Sequence, residues 1–348
     1  MLRIQYYMRG VHMANEKSKT GFLSLLRIVS AFAVVVIHVV ATSIINHSGD
    51  ISEHLVYVLN TVHVYMNWAV PVFFMITGYI FIGLKSECEL PKMKKYVLRF
   101  LAALFVFGFG YAMLERVYST HTINLNVLLG SVGDIFAGNL WDHMWYVYEI
   151  IGIYLVLPIV KPFVQKNNKN LFYATAVTFA FNILLPSIGD MFGTELGFSI
   201  PLVRYMFYIF AGGVIAKVRP ACKKRNIICA ICGLVASACM VWLFYRNGVP
   251  CSYTSLAVCM LAVCIFLLFS LVLSNYKENR IGRELSAFTW GVYLIHPLVL
   301  NVLVKVLKIH PLDYPAYISI PTVCIGVFAV SMLLIFVMKK IPFVKKML

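Results

Sequence analysis

Residues 23–45 read LSLLRIVSAFAVVVIHVVATSII. Coiled as an α-helix at 1.5 Å per residue, this run is about 34 Å long, enough to cross ~30 Å of hydrocarbon. It carries two ionisable side chains, Arg27 near one end and His38 beyond ten intervening residues. On a helix they stand ~16 Å apart along the axis and only ~20° apart around it, so they share one face.

Nine further apolar windows of comparable length follow, at about 62–84, 96–115, 143–164, 171–188, 200–216, 226–245, 252–274, 285–307 and 316–338. The 348-residue chain is 61% hydrophobic and 13% charged, too apolar for a water-soluble globule. Its 14% aromatic content and mean hydropathy of +0.84 equally exclude disorder. Thirty Lys and Arg against 14 Asp and Glu give a formal charge of +16. In a soluble protein that excess points first to nucleic acid, but no hydrophilic domain is large enough to carry such a surface, and no nucleic-acid partner is expected.

The charge has a topological reading instead. Basic residues gather in alternate connections: Lys17 and Lys19, Lys92 to Lys95, Lys166 and Lys169, Lys223 to Arg225, Arg280 and Arg283, and Lys339 to Lys346. The other side holds only Arg116, Arg246, Lys305 and Lys308. Positive charge stays cytoplasmic, so the expected fold class is all-α: a polytopic integral membrane protein of about ten transmembrane helices with both termini cytoplasmic, multi-pass in the plasma membrane. The expected organisation is a cytoplasmic N-terminal segment at 1–20, a ten-helix membrane domain at 21–340 and a basic cytoplasmic tail at 341–348. Met1–Gly10 lacks the long apolar core of a signal peptide. Nine cysteines show no disulfide pattern, and Cys229 and Cys232, spaced CxxC on an apolar helix, read as packing residues rather than a zinc or redox site.

An ionisable group inside a membrane span costs roughly 2.5–3.5 kcal/mol on insertion scales and so needs a reason. Four qualify: His38, Glu149, Arg204 and His296. Arg27 at the membrane surface below a mid-depth His38 suits a long ligand, its anionic end on the guanidinium and its reactive end at a neutral imidazole able to take a proton. The competing reading is a positive-inside anchor and a core histidine bonded to a neighbouring helix. Glu149, four residues after Trp145, approaches the same depth from the other side and must be protonated or paired there. His296 precedes Pro297, whose missing N–H leaves a carbonyl for a ligand or water. Arg204 reads as snorkelling to the surface. In the second span, Pro71 predicts a kink and Gly78 a close helix contact. No metal-ligand spacing stands out.

Several of these stretches together resemble one family. LLRIVSAFAVVVIH (25–38), VPVFFMITGY (70–79), HMWYVY (143–148) and YLIHP (293–297) are similar, in order, to the signatures of the acyltransferase family 3 membrane proteins. Two departures stand out. Thr77 replaces the usual serine before Gly78, and an Arg-x-x-Arg pair of the family's third helix is here Tyr96 and Arg99, with Lys94 and Lys95 adjacent. The resemblance implies a ten-helix bundle that moves an acyl group, usually acetyl, from cytoplasmic acyl-CoA to a hydroxyl of a cell-envelope glycan or lipid-linked sugar. Arg27, Arg99 and Lys95 would hold the coenzyme phosphates. His38 would be general base or transient acyl carrier, and Glu149 and His296 would orient it, bind the acceptor or stabilise charge. The alternative from another class is a transporter or flippase that uses the mid-membrane His and Glu residues as a proton-coupled site.

Overall fold

The computed structural model describes residues 2–47, 49, 51–84, 90–194, 204–218 and 222–348, with side chains from Thr20 onward. The described residues are helical or in short connections. Among the described residues, eight helices are long and apolar enough to cross a membrane, at Thr20–Ile45, Glu53–Gly83, Leu90–Thr120, Asp142–Lys166, Asn168–Phe192, Lys223–Arg246, Arg280–Val306 and Ala316–Met338. The expected windows at 200–216 and 252–274 coincide with shorter apolar helices, Met206–Lys217 and Leu256–Val272, and the first of these windows begins outside the described residues. Ile159, Ile325, Leu333 and Phe336 are exposed, the apolar surface of a multi-pass protein whose solvent is lipid.

The helices are α1 (Leu2–Ile45), α2 (Glu53–Met66), α3 (Ala69–Gly78), α4 (Leu90–Ala103), α5 (Phe109–Thr120), α6 (Leu125–Ala137), α7 (Trp145–Lys166), α8 (Asn168–Phe179), α9 (Leu185–Phe192), α10 (Met206–Lys217), α11 (Lys223–Arg246), α12 (Leu256–Val272), α13 (Arg280–Asn301), α14 (Ala316–Met338) and α15 (Pro342–Met347). They fall into two compact units, 1–84 with 173–336, and 85–172 with 337–348.

In the first unit, α1 packs on α13 and α2, and α3 packs on α10. Val35, Val39 and Val40 of α1 join Leu59, Val292, Leu300, Val304, Ile320, Cys324 and Val327 in one buried cluster drawn from α1, α2, α13, α14 and the turn after α13. The second span breaks at Asn67–Trp68, just before Pro71, since proline lacks the N–H that would return to the Asn67 carbonyl. Asn67 turns the break to use by donating to the Cys251 carbonyl at 2.9 Å. Gly78 is where the expected close contact occurs: a Cβ there would overlap the Ile209 backbone of α10, and one on Gly212 would overlap the Met75 carbonyl of α3. α10 is buried from Met206 to Gly213, as a helix apolar all round must be. Cys229 and Cys232 lie on the exposed side of α11 instead of in a packed interior, because that helix turns most of its apolar surface outward.

In the second unit, α4 packs on α7 and α15, and α5 on α6. Asn124 caps α6 by accepting from the Val127 N–H at 2.9 Å. Arg116 of α5 grips Asp134 of α6 with two bonds, Nε–Oδ2 at 2.5 Å and Nη2–Oδ1 at 2.8 Å. Gly130 keeps the space the guanidinium fills, since a Cβ there would meet Nη1 at 2.5 Å. The Arg116 bond holds the Asp134 carboxyl below its ordinary range. A depressed carboxylate stabilises the fold at pH above the unfolded value and loses that contribution as pH falls through the folded one. The difference in thermal stability between the wild type and Asp134→Asn is therefore expected to be full at neutral pH and to close in acid; melts in detergent from pH 7 to pH 3 test it.

Candidate active site

α1 is unbroken between Arg27 and His38, so the two keep the spacing of ~16 Å on one face. Both are half-buried. His38 meets His296 of α13, the ring centroids 5.1 Å apart and the planes tilted by 52°. The valine cluster sets this meeting: Val35 and Val39 on α1 and Val292 and Leu300 on α13 close around the two rings' level. His63 of α2 also lies within electrostatic reach of His38. Tyr293, one turn before His296, has its ring 6.3 Å from that imidazole and stacks on Trp290 at 5.5 Å.

His296 is fully buried, and its Nδ1 lies 3.0 Å from the Val292 carbonyl. A carbonyl oxygen only accepts, so Nδ1 carries the proton and Nε2 the lone pair. Pro297 supplies the second anchor. Its absent N–H would have bonded the Tyr293 carbonyl, and that freed carbonyl also interacts with the His296 ring.

At the start of α1, Glu278 ties the mouth together. Its carboxylate accepts from the Ser24 hydroxyl and from Arg283 Nε at 3.2 Å, while the Gly21 backbone lies against the Tyr276 carbonyl. Arg283 is thereby committed to an ion pair.

The remaining expected site residues fall in the second unit. Glu149 is half-buried on α7. His143, just before that helix, is buried, and its ring stands edge-on to Tyr111 at 5.5 Å. Tyr111 in turn stacks on Trp141 at 4.3 Å. Arg99 on α4 donates from Nε to the Met347 carbonyl at 3.1 Å and from Nη2 to the Leu348 carbonyl. Lys94 and Lys95 are exposed on the same helix. Tyr96 packs on Tyr154 at 5.3 Å, and Tyr154 packs on Phe100 at 5.4 Å. Arg204 is exposed in the turn before α10. Sequence reading did not single out His63 or Tyr293 for the histidine pair. The Tyr293–His296 spacing of three was legible as one helical face, whereas His63 required knowledge that α2 packs on α1.

Among the described residues, no grouping of three or more His, Cys, Asp or Glu side chains is suited to a metal.

A bundle of long apolar helices of this kind is a multi-pass membrane protein. The chain belongs to the acyltransferase 3 family, whose acyltransferase domain matches residues 20–338. A curated amino-acid racemase from Enterococcus faecalis is 24% identical over 298 residues, 78% of this chain and 41% of the relative. The chain therefore spans about two fifths of the length of that curated relative. No solved structure matches it.

Proposed function

We propose that this protein is a membrane O-acyltransferase of about ten transmembrane helices with both termini cytoplasmic, its membrane domain at 21–340 between short cytoplasmic segments. It moves an acyl group, acetyl foremost, from cytoplasmic acyl-CoA to a hydroxyl of a cell-envelope carbohydrate or lipid-linked sugar. The observation that carries the reading is the contact of His296 with His38, which stands on the same unbroken helix as Arg27. The ~16 Å between guanidinium and imidazole levels is about the reach of a pantetheine arm.

In this reading the Arg27 guanidinium holds coenzyme phosphate, with Arg99 and Lys95 as further cations. The acceptor hydroxyl attacks the thioester carbonyl while His38 takes its proton. The C–S bond breaks, and the leaving sulfur receives a proton to depart as the free thiol. An acyl-histidine route divides the same transfer into two steps. His296, its Nδ1 fixed by backbone carbonyls, orients His38 through its Nε2 side, and Glu149 serves the acceptor or the developing charge. Arg27→Ala is expected to raise the KM for acetyl-CoA by at least tenfold with a smaller change in kcat, the signature of lost ground-state binding. Unchanged KM in steady-state assays on purified protein would remove Arg27 from the donor site.

A second reading takes its support from the racemase relative, more than half of which lies beyond the match. In it the membrane helices pass a small solute, an amino acid first, across the bilayer, with His38, His296 and Glu149 as the proton-coupled site. Proteoliposomes separate the two: amino-acid uptake without acyl-CoA consumption favours transport, and the reverse favours transfer.

A further inference from the structure

α13 and α14 touch closely at one end and leave a groove beyond it. At the contact, Ile335 lies against α13 so tightly that a Cβ on Gly291 would meet its side chain at 2.7 Å, and the Phe288 and Phe336 rings stand 6.4 Å apart. From there a groove of about 470 Å³ runs from Leu334 at its closed end to Leu307 at its mouth. Val299, Leu303, Val323 and Val327 form its floor and rest on the valine cluster. Two residues keep it open and apolar. A Cβ on Gly326 would meet nothing within 4 Å, and Thr322 turns its hydroxyl back to the Ile318 carbonyl at 2.7 Å. The groove follows one side from Leu298 to Leu307 and the other from Thr322 to Leu334, roughly 14 and 18 Å of helix. That is about half of the hydrocarbon core, the depth of one leaflet.

Lipid tails are as apolar as leucine, so a chain fills such a groove whatever its headgroup, and selection falls on what lies at the mouth. The mouth is basic. Lys305 and Lys308 flank Leu307 and are exposed. Between Val302 and Ile320 the chain has these two lysines and one acid, Asp313, which lies 3.4 Å from His47 Nδ1. In the topology proposed above this end is extracytoplasmic, where basic residues are few, yet two of the four expected there stand three residues apart at this mouth.

We propose that this groove binds a phospholipid with an anionic headgroup, one acyl chain laid between α13 and α14 and the phosphate at Lys305 and Lys308. The site does not depend on the acyltransferase reading. A chain in the groove packs on Val299 and Leu303, one and two turns past His296, so the lipid braces the helix that carries the buried histidine.

The test titrates the purified full chain in detergent with phosphatidylglycerol and with phosphatidylcholine of identical chains, reading bound lipid by native mass spectrometry. Phosphatidylglycerol is expected to bind one site at least roughly tenfold more tightly. Lys305→Gln with Lys308→Gln should bring it down to the phosphatidylcholine level and leave phosphatidylcholine within about twofold, while Lys305→Arg with Lys308→Arg keeps the preference. Gly326→Phe, which fills the groove, should weaken both lipids by roughly tenfold, and Gly326→Val should do so by less on its smaller added volume. Gly152→Phe is the control, since a Cβ there also meets nothing within 4 Å, and it should leave both lipids unchanged. Equal affinity for the two lipids, or binding that both Gly326 variants leave intact, reduces the groove to bulk lipid and overturns the site. A preference that survives the glutamine pair puts the headgroup elsewhere and overturns it as well. Dimers of lipid-free protein that Gly326→Phe abolishes, with no lipid retained by the wild type, would assign the groove to a second copy of the chain instead.

Discussion

His38→Ala is expected to reduce acyl transfer by roughly 10²–10⁴-fold, the contribution of a positioned general base. His38 stands on the one helix that also bears Arg27, at the level where α1 and α13 close, with the His296 ring 5.1 Å away. His296 is pinned at Nδ1 by the Val292 carbonyl and neighbours the carbonyl that Pro297 releases, so the pair is held in one orientation without a metal ligand or a carboxylate from its own unit being invoked. Alanine at 38 removes the proton acceptor but leaves Arg27 and the valine cluster in place, so acetyl-CoA affinity should change by less than threefold while kcat falls. The measurement is acetyl-CoA hydrolysis-corrected turnover with envelope glycan acceptors, alongside binding of the coenzyme. Retained kcat sinks the assignment, and a loss of coenzyme binding equal to the loss of turnover would make His38 a structural residue.

Gly212→Val is the second substitution with a large expected effect, and it acts on folding. α3 and α10 approach so closely that a Cβ at Gly212 overlaps the Met75 carbonyl, and the reciprocal Cβ at Gly78 overlaps Ile209. Both neighbours are backbone, which cannot rotate aside as a side chain does, and α10 is buried over the whole contact. Overpacking of this kind typically costs about 1–3 kcal/mol and more where backbone must separate. Since domains are stable by only about 5–15 kcal/mol, little detergent-stable protein is expected. Size-exclusion profiles and thermal melts check this, with Gly326→Val as the control, because a Cβ at Gly326 meets nothing within 4 Å. Equal melting of the two variants would show that the helices can part at small cost.

Much of this architecture is legible in the sequence, and the reason is the solvent. A bilayer forces each crossing segment to be apolar and helical, so 23–45 and its fellow windows announce themselves one at a time. The last expected window, 316–338, agrees with α14 at both ends. The window at 252–274 holds the shorter α12, and that at 200–216 begins outside the described residues and continues into α10, buried from Met206 to Gly213. The site was legible where it depended on one helix: Arg27 and His38 share a face by helical arithmetic alone. It was not legible where it depended on two. The meeting of His38 with His296 is 258 residues long in sequence and is fixed by valines that look like any others in a hydrophobic run. The fate of the Tyr293 carbonyl is of the same kind, since proline announces a freed oxygen but not what takes it.

By itself, then, the sequence determined that this chain crosses a membrane as helices, which residues are costly to bury, and which of them lie on a common face. Only the tertiary structure decided which of those faces meet, that His296 is held by its own backbone, and that residues 339–348 return to Arg99. The physical reason is that periodicity and hydropathy are local, whereas contacts between helices are selected by shape and by a few hydrogen bonds between groups far apart in the chain.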